Sequence, residues 1–295
     1  MDRTHVNILL HNTHKTEKQN RVRGMWVFIF AFIITSVTLD ERQSGRPPCP
    51  TNCICSGVLT KIVECNGTFA IADWRKLGEE IDIETTAQIE ISYADFTYLE
   101  LDDFPTIPSL MRLRILSGRI ATFPKGLSVK FPELKYLLLQ SQNIRYIPKS
   151  AFKGLTKVKN LDLAGNQLTR ISAFNFEPLV GLQILNLNEN RISCLDKSAF
   201  SGQLLLKFKF VSLKKNCLSV LPIGVFDSPT SFLFVNLEDN QIRTIRRGIF
   251  NPIFVLNLKN NRIQTIEDGA FNKFRPEAVN LQSCLLYTSP SPRDS

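Results

Sequence analysis

The chain has 295 residues, 43% of them apolar and 21% charged, which is the composition of a folded globular protein rather than a disordered one. The net charge of +9 is spread over both signs and no run of five basic residues occurs, so a nucleic-acid partner is disfavoured. All three histidines lie in the first fourteen residues, which leaves the rest of the chain without the commonest general base and nitrogen ligand. Since no nucleophile motif or metal-ligand spacing occurs either, we expect no enzyme, no cofactor and no metal site.

A basic, polar leader precedes an uncharged apolar run at residues 25–39. This run is shorter than the roughly 20 residues of a membrane-spanning helix, but it suits the core of a signal peptide. We therefore predict that residues 1–39 are a leader with either a cleaved signal peptide or an uncleaved signal anchor, with Met25 as an alternative start. Both alternatives place the following residues outside the cytosol, either secreted or on the outer cell surface.

Four cysteines follow within a short segment, at Cys49, Cys53, Cys55 and Cys65. Behind a secretory leader, this density indicates a disulfide framework, with a zinc site as the alternative. The spacing alone leaves all three pairings of the four cysteines open. A sequon begins at Asn66, which we predict as a glycosylation site.

An apolar pair recurs along the chain at intervals of 21 to 26 residues, first at Ile89 and last at Val279. In the middle repeats this pair belongs to the pattern L-x-x-L-x-L-x-x-N-x-L, and nine recurrences at a near-constant period exclude chance. The asparagines of the pattern are Asn166, Asn190, Asn216, Asn240 and Asn261. A phenylalanine follows in most repeats, at Phe104, Phe152, Phe176, Phe200, Phe226, Phe250 and Phe271.

The pattern resembles the extracellular leucine-rich-repeat superfamily of Toll, Slit and proteoglycan proteins, over roughly residues 49–283. The resemblance implies a solenoid with a curved parallel sheet on its concave face and an irregular or short helical outer arc. It also implies an N-terminal cap stapled by Cys49–Cys55 and Cys53–Cys65, with a small hairpin at residues 58–59 and 62–64. Such a cap is needed because the first coil of a solenoid would otherwise expose its apolar cross-section to water.

Each repeated residue type has a structural task in this architecture. The apolar pair is buried, the phenylalanines stack as a second spine, and the asparagine amide bonds to the backbone of its own and adjacent coils. Because Ala94 and Gly118 stand where an asparagine is expected, we predict less regular first coils and a ladder that runs only from Asn166 to Asn261. Whether Cys194 and Cys217, which lie on neighbouring coils, form a disulfide is left open by the sequence.

Residues 284–295 resemble the translation of a transposon-type sequencing adaptor, so we expect no structure there and a natural sequence that continues differently after residue 283. The predicted organisation is a leader with a signal (1–39), a cysteine-rich cap (49–82), about nine leucine-rich repeats (86–283) and this tail (284–295). We expect the protein to contact a membrane only through an N-terminal anchor or through a C-terminal membrane span that this sequence has lost.

Residues that flank the buried pair are expected on the concave face, where this architecture binds its ligands. Four successive repeats carry an apolar residue just before the pair, which predicts an exposed stripe typical of a protein interface. Beside the stripe runs a row of amides that we expect to hydrogen-bond the partner. The predicted partner-binding residues are Tyr136, Ile184, Asn186, Phe210, Phe234, Asn236, Val255 and Asn257.

Mixed charges further along the same face favour a protein partner over a polyanion, although a glycan or matrix contact stays open. The sequence therefore predicts a non-catalytic extracellular recognition module, secreted or part of a receptor ectodomain, that binds a protein on its concave face. The alternatives are a structural matrix or adhesion component and a non-catalytic subunit of a secreted complex. For the stripe itself, the alternatives are that β-propensity alone placed these residues on strands or that a flanking loop covers them.

Overall fold

The structure is a computed structural model that describes residues 49–50, 52–57, 59–99, 101–200, 206–227, 232–250, 253–272 and 278–284. The leader with its apolar run, Val58 of the expected hairpin and the tail after Cys284 lie outside these residues. Among the residues that it does describe, no helix has both the length and the apolar character needed to cross a membrane.

Fifteen strands and two short helices make up the regular structure of the described residues. The strands are β1 (Cys53–Ser56), β2 (Lys61–Phe69), β3 (Thr86–Ala94), β4 (Arg112–Leu116), β5 (Tyr136–Gln140), β6 (Asn160–Asp162), β7 (Arg170–Ile171), β8 (Ile184–Asn186), β9 (Cys194–Leu195), β10 (Phe210–Ser212), β11 (Phe234–Asn236), β12 (Thr244–Ile245), β13 (Val255–Asn257), β14 (Thr265–Ile266) and β15 (Val279–Asn280). The helices are α1 (Ile71–Glu80) and α2 (Leu127–Lys130).

Eleven of these strands form one sheet in the order β1-β2-β3-β4-β5-β6-β8-β10-β11-β13-β15, and all neighbours except β1 and β2 run parallel. Equivalent positions of successive repeats lie side by side, as Leu113, Leu137 and Leu161 do. The first apolar residue of each pair is buried from Ile89 to Leu256, so the flanking residues point out of the opposite face. The predicted leucine-rich-repeat solenoid is confirmed.

The cap is closed by two disulfides, Cys49–Cys55 and Cys53–Cys65, as the resemblance implied. A hairpin is present, but its first strand is β1 rather than residues 58–59, so that detail of the prediction is wrong. Ser56 lies opposite Ile62, because the disulfide between paired positions on β1 and β2 fixes this register.

Helix α1 covers the apolar end of the first coil. Trp74 of the helix is fully buried and stacks on Phe104 with ring centroids 4.2 Å apart. The backbone approaches so closely here that a β-carbon on Gly78 would stand 2.7 Å from Pro105 Cδ. Phe104 therefore joins the cap to the solenoid, and its other ring neighbour is Phe131 rather than the next phenylalanine of the predicted spine.

The phenylalanine spine runs under the outer arc from the third repeat onward. Its successive ring centroids are 5.5 to 6.4 Å apart. The rings that stack are Phe152, Phe176, Phe200, Phe226, Phe250 and Phe271. The spine holds the outer arcs of successive coils together, as the sheet holds their other side.

The asparagine amides link each coil to the one before it. Asn190 Oδ1 accepts the Leu168 N–H at 3.0 Å, while Asn190 Nδ2 donates to the Leu163 and Leu187 carbonyls at 2.9 and 3.1 Å. The other four asparagines of the pattern make the same three kinds of bond. The backbone polar groups buried by the turn after each strand are thus satisfied from within the solenoid.

This ladder begins one coil earlier than predicted, at Gln142. Gln142 Oε1 accepts the Ile120 N–H at 3.3 Å, and Gln142 Nε2 donates to the Ile115 carbonyl at 3.3 Å. The longer side chain needs space, which Gly118 provides, since a β-carbon there would lie 2.5 Å from Gln142 Oε1. At the other end, Cys284 Sγ donates to the Leu258 carbonyl, so this thiol occupies the next ladder position. Cys194 and Cys217 are both free and exposed.

A charged contact ties the cap hairpin to the loop after α1. Lys61 Nζ lies 2.7 Å from Asp82 Oδ2, which also accepts the Thr85 hydroxyl at 2.9 Å. These two hydrogen bonds, Lys61's first, lower the pKa of Asp82 from its ordinary 3.8 to about 2.

The lowered pKa predicts a pH-dependent contribution of Asp82 to stability. A carboxylate with a depressed pKa stabilises the fold above its unfolded-state pKa and loses that contribution as the pH falls through the folded value. We expect Asp82→Asn to lower the thermal midpoint at pH 7, and the deficit to vanish between about pH 4 and pH 2. Thermal unfolding followed by circular dichroism checks this, and a deficit of equal size at pH 7 and pH 2 would contradict it.

Candidate functional site

The sheet brings four apolar side chains into one line on the face that points away from the buried leucines. Ile184, Phe210, Phe234 and Val255 are direct register partners on β8, β10, β11 and β13, and we call them the apolar row. Neighbouring strands lie about 4.8 Å apart, so the row is about 14 Å long. The sequence placed these four residues together correctly.

The row is less exposed than the predicted exposed stripe. Ile184, Phe210 and Val255 are half-buried, and Phe234 keeps only 9% of its surface accessible. Large side chains one strand apart cover one another, and Phe234 has such neighbours on both sides. The row is therefore a shared apolar surface rather than a set of free anchors.

Two exposed apolar residues that the prediction missed border the row. Leu233 and Phe254 directly precede Phe234 and Val255, and they are 43% and 63% exposed. Their N–H groups donate to the carbonyls of the preceding coil, that of Leu233 to Lys209 at 2.9 Å. We call Leu233 and Phe254 the rim. A signal for them exists in the sequence, because the four preceding repeats carry lysine or glutamine in this column.

The amide row beside the apolar row has a structural task. Asn236 Oδ1 accepts the Glu238 N–H and Asn257 Oδ1 accepts the Lys259 N–H, which ends each strand with a side-chain-capped turn. Both asparagines are buried, and Asn257 Nδ2 bonds to Asn236 Oδ1 at 3.1 Å. Asn236 Oδ1 and both polar atoms of Asn257 thus have partners inside the fold, and the hydrogen bonding of these two amides to a binding partner stays a prediction.

Asn186 and Asp162 continue this internal network. Asn186 Nδ2 donates to Asp162 Oδ2 at 3.0 Å, and Asn186 Oδ1 accepts the Asn188 N–H. Burial of the Asp162 carboxyl raises its pKa, although the N–H groups of Ala164, Asn186 and Gln140 favour the ionised form. Asn186 is half-buried and both ends of its amide bond within the fold, so its hydrogen bond to a binding partner also stays a prediction.

Tyr136 stands apart from the apolar row. The guanidinium carbon of Arg112 lies 4.5 Å from the centre of its ring, and buried Asn160 separates it from Ile184 in the register. The structure therefore does not bring Tyr136 together with the other predicted contacts.

The far edge of the face carries charges of both signs that pair with one another. Lys214 Nζ lies 3.2 Å from Glu238 Oε2, and Lys215 Nζ donates to Glu189 Oε1 at 2.7 Å. The hydrogen bond to Glu189 raises the pKa of Lys215. This edge is electrically mixed, as predicted, and so does not form a one-sign track for a polyanion.

Within the described ranges, no group of three or more histidine, cysteine, aspartate or glutamate residues is placed to hold a metal ion. What the face offers is a line of apolar contact bordered by a polar edge. Elsewhere, Asn66 is exposed on β2 and accepts the Ser92 hydroxyl at 2.8 Å, and its glycosylation stays a prediction.

The repeats of this chain are similar to the leucine-rich repeats of several different known proteins. The family model described as "Leucine rich repeat" matches residues 108–168, 132–192 and 156–208. The chain is 28% identical over 200 residues to human "Leucine-rich repeats and immunoglobulin-like domains protein 1", covering 68% of the chain and 17% of that protein. It is 31% identical over 185 residues to "Toll-like receptor 3" of Boselaphus tragocamelus (59% and 20% covered) and 33% identical over 135 residues to "Tsukushi" of Xenopus tropicalis (44% and 38% covered). It thus spans between 17% and 38% of these relatives.

Two solved structures show the same fold. The mouse RP105/MD-1 complex matches with a TM-score of 0.59 at 20% identity, covering 70% of this chain and 36% of that one. The TLR13–ssRNA13 complex matches with a TM-score of 0.54 at 21% identity, covering 76% and 32%. At this identity the likeness concerns the solenoid architecture alone.

Because the apolar row is more buried than the rim, truncating a side chain of the row should cost more folding stability than truncating one of the rim. Phe234→Ala should destabilise the fold by about 3 kcal/mol, because it leaves a cavity between two coils. Phe254→Ala should change stability by less than about 0.5 kcal/mol, because the ring is mostly in water. Urea unfolding of both variants measures the difference, and equal losses would refute this assignment of buried and exposed positions.

Proposed function

Because this chain is a leucine-rich-repeat protein with a disulfide-bonded N-terminal cap, we propose that it is a non-catalytic recognition module that binds a protein partner on the concave face of its sheet. The observation that carries the proposal is the rim of Leu233 and Phe254, which extends the apolar row into solvent. Large apolar side chains that stand exposed next to one another on a rigid surface are typical of protein interfaces.

The shape and polarity of the face support a protein rather than a small molecule. The row and rim form a strip across four coils, bordered on one side by amides whose hydrogen bonds are satisfied internally. A partner would gain mainly from covering apolar surface, with its polar contacts made at the charged edge around Lys214 and Glu238. Ile184, Phe210 and Val255 would form the floor of the contact, and Leu233 and Phe254 would be its anchors.

We also propose that the protein acts outside the cytosol, secreted or on the outer cell surface. The two cap disulfides support this location, since such bonds persist in oxidising compartments. The proposed organisation keeps a signal-bearing leader at residues 1–39, the cap at 49–82 and the repeats at 86–283. The partner's identity and the activity of the whole protein are not fixed by the fold.

A capture experiment with matched variants tests the proposed face. The full chain, Leu233→Glu/Phe254→Glu and a control, Leu206→Glu/Val220→Glu, are immobilised and exposed to conditioned medium, and bound proteins are quantified by mass spectrometry. The control residues are apolar and 58% and 59% exposed, but they lie off the concave face. We expect a protein captured by the wild type and the control to be lost by more than about tenfold from the rim variant.

Two results of this experiment would count against the proposal. One is that the rim variant, with an unchanged circular dichroism spectrum, captures the same proteins as the wild type. The other is that the control variant loses them equally, because the contact would then not depend on the concave face.

A further inference from the structure

A second surface of the solenoid is strongly basic in five of six successive repeats, with 217–223 as the one stretch that carries no charge. In six successive repeats, the seven residues that begin directly after the ladder position form the flank where the chain leaves the sheet. These stretches are 119–125, 143–149, 167–173, 191–197, 217–223 and 241–247, and we call them the basic flank. They carry ten basic residues and one acidic residue, a net charge of +9, whereas residues 40–283 as a whole carry only +6.

The ten cations of the flank are exposed. They are Arg119, Lys125, Arg145, Lys149, Arg170, Arg191, Lys197, Arg243, Arg246 and Arg247. Within the described part of the chain, Arg119 is the one member of this set that forms a salt bridge, to Asp95 at 2.8 Å. The other nine charges are therefore directed at solvent, in contrast to the paired charges at the edge of the concave face.

The flank is a rigid surface because the backbone crosses it in register. From the second stretch onward, the N–H of the first residue donates to a carbonyl of the preceding stretch, and the Arg191 N–H donates in this way to the Leu168 carbonyl at 2.9 Å. Strands β7 and β9 add a parallel pair that places Arg170 beside Cys194. Six successive coils about 4.8 Å apart thus present a track roughly 24 Å long, with cations on every coil except that of residues 217–223.

The chemistry of the track favours an oxyanion-bearing chain. Seven of the ten cations are arginine, against seven of the other twenty basic residues between 40 and 283. The planar guanidinium donates in pairs to oxyanions and is the more weakly hydrated of the two cations. The repeat supplies a linear array of such groups, which matches a linear polyanion better than a compact one.

Two observations favour a glycan over a nucleic acid. The cap disulfides point to an oxidising compartment, where sulfated polysaccharides are the abundant linear polyanions. The stretches also carry a single exposed tyrosine, Tyr146, so they lack the series of aromatic stacking platforms typical of single-strand binding. Among the residues described there, the flank has no helix, and its strands β7, β9 and β12 are two residues long, so it has no element of the length that enters a duplex groove.

We propose that the basic flank is a binding surface for a sulfated linear polysaccharide, separate from the concave protein-binding face. Sulfate groups along the polysaccharide lie on the track and are held by arginines of five of its six coils. The two surfaces are on different sides of the same coils, so a partner on the rim and a polysaccharide on the flank bind at the same time.

The test compares three matched variants of the full chain on immobilised heparin. The flank variant is Arg145→Gln/Arg170→Gln/Arg191→Gln, and the control is Lys153→Gln/Lys159→Gln/Lys207→Gln, which removes the same charge from exposed sites elsewhere. A second flank variant, Arg243→Gln/Arg246→Gln/Arg247→Gln, guards against a folding defect in the first. Circular dichroism checks that each variant folds.

We expect the flank variants to bind heparin roughly tenfold more weakly or worse and to show a shallower dependence on salt, while the control stays within about threefold of the wild type. Fully desulfated heparin should not bind. Equal weakening of flank and control variants would overturn the proposal, because net charge alone would then explain the binding. Single-stranded DNA that competes as well as heparin would overturn the assignment to a sulfated glycan.

Discussion

The architecture depends on the hydrogen bonding of one buried side-chain amide per coil to the backbone of two successive coils. The turn after each strand folds inward, and its N–H and C=O groups would be unsatisfied in the core without Asn190 and its equivalents. Because each amide accepts from and donates to the coil before it, the ladder also fixes how neighbouring coils stack. The buried leucines supply the driving force for folding, while the ladder supplies the register.

The register decides where function can reside. Once coils stack in register, a residue type repeated at one column becomes a continuous line on the surface, as in the apolar row, and a residue type repeated on one flank becomes a broader charged surface, as in the basic flank. The rim and the flank lie on opposite sides of the sheet strands, and they differ in chemistry: apolar contact on one, unpaired cations on the other. One repeated scaffold can thus present two surfaces that bind chemically different partners.

The repeats, the cap disulfides and the position of the apolar row could be predicted from the sequence because each is a property of spacing. What could not be predicted from the sequence depended on neighbours across coils. Asn236 and Asn257 look like free amides in the sequence, yet each closes a turn and one bonds to the other. Gln142 was missed as a ladder residue because its function needs the space beside Gly118, and Phe234 was predicted as exposed because mutual covering by adjacent strands is not visible in one repeat.

The central claim, that each ladder amide holds the backbone of the preceding coil, is tested most directly by hydrogen exchange in Asn190→Ala. The Leu168 N–H donates to Asn190 Oδ1, whereas the Ile242 N–H depends on Asn261, several coils away. In this variant, hydrogen exchange at the Leu168 N–H should become roughly ten- to hundredfold faster, while exchange at the Ile242 N–H should be unchanged. Wild-type protection at Leu168 in this variant would contradict it.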